Sequence, residues 1–245
     1  ASLIRQGIES GAVTTAADIE RELELIERAS KRAASSVRRL MTLTRKRSPE
    51  SLVFRLDEAL RRVEEFAARS MDPSVSLSLR HGMPEAWVRG DSGQLEQLFL
   101  NLIVNAEHAV TIMRPREQRR GGSVVISLYR FAPDRDFLIA NPNVAEAEYW
   151  ALSVKDDGVG VPRHIQRRIF DPFYTTKPNE SSSGLGLAMV HAIATQHGGF
   201  VDLRSEPGEG AEFIVYLPVA QACGDACQEA VEPHRGTEAV LIVDD

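Results

Sequence analysis

Three groups of residues in this chain have the types and spacing to do chemistry together. The first is Asp156-Asp157-Gly158-Val159-Gly160, which directly follows an apolar run, Trp150 to Val154. A carboxylate at a strand end can accept a hydrogen bond from an exocyclic amine such as that of adenine. The glycines let the backbone turn tightly beside it. The second is Ser183-Gly184-Leu185-Gly186-Leu187, glycines that open a helix. Backbone N–H groups there can approach a phosphate, and the helix dipole favours its charge. The third is Asn101, Asn105 and His108, spaced four and three apart and so on one side of a helix. Amide oxygens there can join phosphate and water around Mg²⁺, a hard cation that prefers oxygen. Between the first two groups runs a polar loop with Phe170, Thr175, Thr176, Lys177 and Ser181 to Ser183. The reading is a nucleotide site under a loop cover. Each feature also has a plainer reading: asparagines facing solvent, a strand-ending turn, a solvated lysine.

The elements that must position these groups follow from the pattern along the chain. The 245 residues, 43% hydrophobic and 26% charged, allow one or two globular domains. The net charge of -6 argues against a general nucleic-acid binder. No apolar run approaches membrane-spanning length, which predicts a soluble chain. Cys223 and Cys227 stand in a polar stretch without a second ligand pair, as reduced surface thiols do.

From Thr15 to Arg47, Ile19, Leu23, Ile26, Ser30, Ala33, Val37, Leu40 and Thr44 alternate steps of four and three. That is a heptad seam, and it must pack on an upstream helix, a second copy, or both. Past Pro49 the pattern predicts strands at 52–56, 75–79, 86–90, 124–129 and 149–155. It predicts helices from Asp57 as N-cap to Ser70, from Asp91 to Met113, from Pro162 to Ile169 and from Leu185 to His197. Residues 131–148 read as an excursion between paired strands. Residues 200–204 and 211–217 read as a hairpin. The expected architecture is α+β, a mixed sheet with helices packed as two layers. After a linker from 219 to 236, Val240 to Asp245 begins another strand, so both ends of the sequence read as cut.

Asn101-Leu102-Ile103-Val104-Asn105-Ala106, Asp156-Asp157-Gly158-Val159-Gly160, Phe170-Asp171-Pro172-Phe173 and Gly184-Leu185-Gly186-Leu187 occur in that order. They resemble the N, G1, F and G2 boxes of sensor histidine kinases, over roughly residues 50–218. Thr15–Arg47 resembles the second helix of the dimerisation and phosphotransfer hairpin. Residues 237–245 resemble the first strand of a receiver domain, with Asp244 and Asp245 as its paired acids. The match is with the hybrid kinases of that family.

The resemblance implies a partial helical hairpin (1–48), then a two-layer α/β sandwich of the histidine kinase, gyrase and Hsp90 ATPase type (49–218). It implies ATP and Mg²⁺ as cofactors, Asn105 as metal ligand, Asn101 supporting the metal–phosphate side, and Asp156 reading adenine. Gly158, Gly160, Gly184 and Gly186 shape the pocket. Phe170 to Ser183, with Thr175, Thr176 and Lys177, form the lid, and Leu185 and Leu187 belong to the same binding stretch. His108 stands where many relatives carry Lys or Arg. The implied partners are a second copy through Thr15–Arg47, and a receiver beyond Asp245 or on a separate response regulator. A cytoplasmic location is implied for this portion, with membrane anchoring of the parent protein left open.

Two departures stand out. The residues after the six histidines are Gly82, Ala109, Ile165, Ala192, Gly198 and Arg235, and none fits a phosphoacceptor box. The acceptor is therefore expected upstream of Ala1. Related ATPases carry Glu four residues before the metal asparagine, to activate water; here that position is Asn101. Phosphoryl transfer is thus favoured over hydrolysis. The rival is a nucleotide-binding regulatory, scaffold or phosphatase module that has lost kinase activity.

Overall fold

The computed structural model describes residues 52–81, 85–115, 121–142, 144–145, 147–176 and 183–221. The heptad helix Thr15–Arg47, Lys177, both cysteines, most of the linker and residues 237–245 lie outside them.

A short antiparallel pair, β1 (Leu52–Arg55) and β3 (Trp87–Gly90), stands beside a five-stranded sheet. That sheet has the order β2 (Val75–His81), β4 (Gly122–Phe131), β5 (Tyr149–Asp156), β7 (Gly210–Pro218), β6 (Phe200–Glu206). Only β2 and β4 run parallel. A parallel pair needs a crossover, and helix α2 (Ser92–Val110) supplies it. With α1 (Leu56–Ser70) and α4 (Gly186–Gln196) it covers one face of the sheet.

Each helix forms for a local reason. In α1, Leu56, Ala59, Leu60, Val63 and Ala67 recur at helical spacing and are buried. In α2, the Asp91 carboxylate accepts from the Gln94 N–H at 3.1 Å, capping the first turn. Leu95, Leu98, Phe99, Leu102, Ile103, Ala106 and Val110 then face the core.

β5 runs through the middle of both layers. Its Trp150, Leu152 and Val154 join the helix-side core, whereas Tyr149 and Ala151 join an outer cluster with Ile214 and Tyr216. That outer face is aromatic. Phe200 stacks on Tyr216 at 4.4 Å, and Phe137 meets Phe131 edge-on at 5.0 Å. Phe137 belongs to a short helix, α3 (Arg135–Ala140), inside the β4–β5 excursion. The sequence reading missed it because its six residues are too few to show a period.

Several boundaries differ from expectation. α1 begins at Leu56 with Arg55 as N-cap, so Asp57 is not the cap. It is buried in the first turn, held by the Arg55 guanidinium at 2.6 Å and accepting from the Ala86 N–H at 3.2 Å. Burial opposes the charge on Asp57. The Arg55 hydrogen bond, the Ala86 N–H and the Arg55 charge outweigh that and hold its pKa below the ordinary value. Asp57→Ala is expected to cost about 2 kcal/mol, because it leaves the buried Ala86 N–H without its acceptor. Chemical denaturation checks it, and a loss under 1 kcal/mol would refute the assignment.

α2 ends at Val110, not Met113, where Thr111 Oγ1 donates to the Glu107 carbonyl at 2.6 Å. Val104, an apolar residue of this helix, is exposed. The helix expected from Pro162 is a 3₁₀ turn, Arg163–Ile165, followed by further turns. The hairpin of β6 and β7 is as expected, with each strand longer by one or two residues at its ends. Among the described residues, no helix is long and apolar enough to cross a membrane.

Candidate nucleotide site

Asp156 is the last residue of β5, facing Val124 on one side and Ala211 on the other. It is 2% exposed. One carboxylate oxygen, Oδ1, accepts from the Gly158 N–H at 2.8 Å and from the Ala211 N–H at 3.3 Å. Neither bond uses Oδ2. Burial pushes the Asp156 pKa up to about 6, against the pull of the two N–H groups. A carboxylate with one oxygen held by backbone and the other turned to a ligand is a rigid acceptor.

The turn after Asp156 is stitched on three sides. Val159 N–H donates to the Ala109 carbonyl of α2 at 3.3 Å. Gly208 N–H donates to the Val159 carbonyl at 2.8 Å, and Val161 N–H to Ser205 Oγ at 2.8 Å. Gly158 lies so close to α2 that a Cβ there would sit 2.7 Å from Ala109. Gly160 has φ +70 and lies against the Glu206 carbonyl. Both glycines are thus required by close approach.

Arg114 closes the far side. Its guanidinium donates to the Gly121 and Asp157 carbonyls at 2.5 Å each and to the Asp157 carboxylate at 3.0 Å. The sequence showed only a basic loop here; nothing in it marked Arg114 as a clamp. Ser205, which also donates to the Gly210 carbonyl at 2.8 Å, was likewise missed.

Because Ala109 lies one helical turn past Asn105, this stitching brings the asparagine side of α2 to the Asp156 turn. Asn105 and His108 are half-buried. Asn101 accepts from Gln97 Nε2 at 3.2 Å, while its own Nδ2 is buried with no hydrogen-bond partner. An orphaned buried donor is costly, and a phosphate oxygen would satisfy it.

The glycine-opened helix is α4. Its N-cap Leu185 makes no side-chain capping bond, and its first turn carries no acid. A Cβ added at Gly186 would meet nothing within 4 Å. Protein packing therefore does not demand glycine there. Open space beside an uncapped helix start suits an anion.

Gly184 differs. It has φ +64 and faces the backbone of Phe173, itself at φ +67, with the Phe173 N–H donating to the Gly184 carbonyl at 3.0 Å. These two residues hold the described ends of the loop together. Thr175 and Thr176 are exposed, and Ser183 and Leu187 half-buried. The Leu185 side chain is fully buried in the core, so it anchors the loop from within. Phe170, at the start of that loop, packs on the core beside Phe213 and His191.

Among the described residues, no three or more His, Cys, Asp or Glu side chains group to hold a metal. An ion at Asn105 would therefore take most of its ligands from phosphate and water. That is the sparse oxygen donor set Mg²⁺ accepts, so the residues fit a nucleotide-borne magnesium.

Residues 90–221 match the family described as Histidine kinase-, DNA gyrase B-, and HSP90-like ATPase. The chain is 31% identical over 230 residues to the sensor kinase CckA of Brucella abortus (strain 2308), covering 90% of this chain and 24% of that protein. It is 31% identical over 219 residues to the sensory histidine kinase/phosphatase NtrB of Azospirillum brasilense, covering 86% and 49%. The chain thus spans a quarter to a half of the length of these two relatives. Among solved structures, full-length ShkA in complex with AMPPNP aligns with TM-score 0.64 at 23% identity, covering 86% of this chain and 40% of that one. The mycobacterial sensor histidine kinase MprB aligns with TM-score 0.53 at 24% identity, covering 69% and 97%. These two likenesses concern the fold.

Proposed function

Since the chain belongs to the histidine kinase-, DNA gyrase B- and HSP90-like ATPase family, we propose that it is the ATP-binding catalytic core of a sensor histidine kinase. One observation carries the reading. The Ala109–Val159 hydrogen bond holds the asparagine side of α2 against the turn that follows the acceptor carboxylate of Asp156, and in this reading the open start of α4 completes the same site.

In this reading Asp156 holds the adenine amine with its outward oxygen. The first N–H groups of α4, at Gly186 and beyond, face the phosphates. The orphaned Nδ2 of Asn101 donates to a phosphate oxygen, and the amide oxygen of Asn105 holds magnesium. Magnesium, when bound, offsets the charge on the phosphoryl oxygens. Lys177, Thr175 and Thr176 belong to the lid that closes over the phosphate end. With ATP so held, catalysis is largely positioning. A histidine nitrogen attacks the γ-phosphorus, the bond to the β–γ bridging oxygen breaks, and ADP leaves with its electron pair.

The amide of Asn101 is no general base, so water entering the site meets no activating carboxylate at that position. That supports transfer over hydrolysis. The acceptor histidine is proposed upstream of Ala1, the dimer contact along Thr15–Arg47, and the onward acceptor an aspartate of a receiver domain.

The test is a chain extended upstream of Ala1 and incubated with γ-labelled ATP. An acid-labile, base-stable label on an upstream histidine is expected. ATP binding with no label in any extended chain would overturn the kinase reading and leave the regulatory one.

A further inference from the structure

His197 ends α4, and its imidazole is bonded at both nitrogens. Nδ1 lies 2.8 Å from the Ile193 carbonyl in the last turn of its own helix. Nε2 lies 3.1 Å from the backbone nitrogen of Asp91. A backbone N–H can only donate, and a carbonyl can only accept. The ring is therefore neutral, with its proton on Nδ1 and its lone pair on Nε2. Both partners demand the same tautomer.

Asp91 is the N-cap of α2, where its side chain also accepts from the Gln94 N–H and side-chain amide. The imidazole thus links the end of one helix to the cap of the other. Gly90 completes the fit, since a Cβ there would lie 2.1 Å from His197 Cδ2 and only glycine lets the ring lie where it does.

The two linked helices are the ones that border the nucleotide site. α4 opens at Gly186, and α2 carries Asn101 and Asn105. Asn105 lies fourteen residues past Asp91, about 21 Å along the axis, so the link acts at the remote end of the rod. A helix held at its cap cannot slide along its neighbour, and a slide would carry the asparagines away from the phosphates.

We infer that His197 is a positioning residue for phosphate and magnesium binding, acting through the Asp91 N–H on the placement of α2. The inference rests on the nucleotide-site reading above. It makes a demand that general stability does not. Asp156 is held by β5 and by the Ala211 N–H, and its turn is bonded to β6; the one bond given above from that turn to α2, Val159 N–H to the Ala109 carbonyl, lies at the end of the helix remote from the His197 link. Loss of the link should weaken the phosphate side and spare the adenine side.

The test uses the full chain and two probes, ATP with magnesium and adenosine, titrated calorimetrically. His197→Ala should raise the Kd for ATP with magnesium roughly fivefold, the scale of one net hydrogen bond, while adenosine binding changes less than twofold. His197→Gln, which can present an amide oxygen to the Asp91 N–H, should restore most of the loss. His197→Asn, too short to reach Asp91, should not. Gly90→Ala, which displaces the ring without touching its chemistry, should reproduce His197→Ala and serves if that variant does not fold. Equal weakening of both probes, or equal rescue by Gln and Asn, overturns the inference. Wild-type chain that binds neither probe would instead sink the nucleotide-site reading itself.

Discussion

Asn105→Ala is expected to remove the magnesium-dependent part of ATP binding, raising the Kd in the presence of magnesium by roughly 100-fold and abolishing phosphoryl transfer. The size follows from the poverty of the site. Among the described residues no acidic cluster stands ready to replace a lost ligand. With one protein oxygen gone, the ion would be held by phosphate and water alone, as in solution. Binding measured with and without magnesium isolates the effect. In the variant the two curves should coincide, and adenosine affinity should stay within twofold of wild type. Asn105→Asp, which keeps an oxygen ligand, should retain the magnesium dependence. An Asn105→Ala chain that still binds ATP more tightly with magnesium would remove the residue from the site.

Asp156→Asn should be nearly as damaging, for a different reason. Oδ1 accepts two backbone N–H bonds, so the remaining amide oxygen of an asparagine must take that place. Its NH₂ is then forced outward, donor against the donor amine of adenine. A charged acceptor is thereby exchanged for a repulsive contact, which should cost roughly 100-fold in affinity. A base with a carbonyl at that edge would be accepted better, so the adenine preference should narrow or reverse. Equal losses for ATP and GTP would refute base reading by Asp156.

The raised Asp156 pKa sets a pH window as well. Burial favours the neutral acid in the free chain, with titration at about 6. For this group alone, the stability gained from the shift is present in full below the ordinary carboxylate range and lost as pH rises through about 6. Adenine runs the other way, since it needs the carboxylate. Adenosine binding should hold steady above pH 6 and weaken as pH falls below it, toward a limit of about tenfold per unit. Adenosine is the right probe because ATP's own phosphate titrates nearby. The pH dependence should vanish in Asp156→Asn; its survival there would assign the titration to another group.

Much of this was legible in the residues themselves. Asn101, Asn105, Asp156 and the glycines are short-range patterns, and their chemistry is local. The alternation of β5 and the helical spacing of α1 likewise lie within single elements. What escaped was long-range. Asp57 looks like a cap in sequence because a carboxylate beside a helix start usually is one. Only the approach of Ala86, twenty-nine residues on, turns it inward. Arg114 reaches Asp157 across forty-three residues, and His197 reaches Asp91 across one hundred and six. Such bonds depend on topology, which no local pattern carries. Val104 shows the same limit, since an apolar residue on a wide helix face does not declare which edge is covered.

The buried cluster on the outer face of the sheet gives the adenine contact proposed for Asp156 a safeguard. Along β5, even-numbered residues Trp150, Leu152 and Val154 fill one layer, and odd-numbered Tyr149 and Ala151 fill the other. Asp156 falls on the even set and the exposed Lys155 on the odd. Were the strand to shift by one residue, a lysine ammonium would replace the carboxylate at the proposed base contact, a donor in place of an acceptor. That error would also turn Trp150, Leu152 and Val154 out of the helix-side core and bring Tyr149 and Ala151 into it. Burial on both faces of one strand therefore acts as a parity check, and the fold itself sets which charge stands at the end of β5.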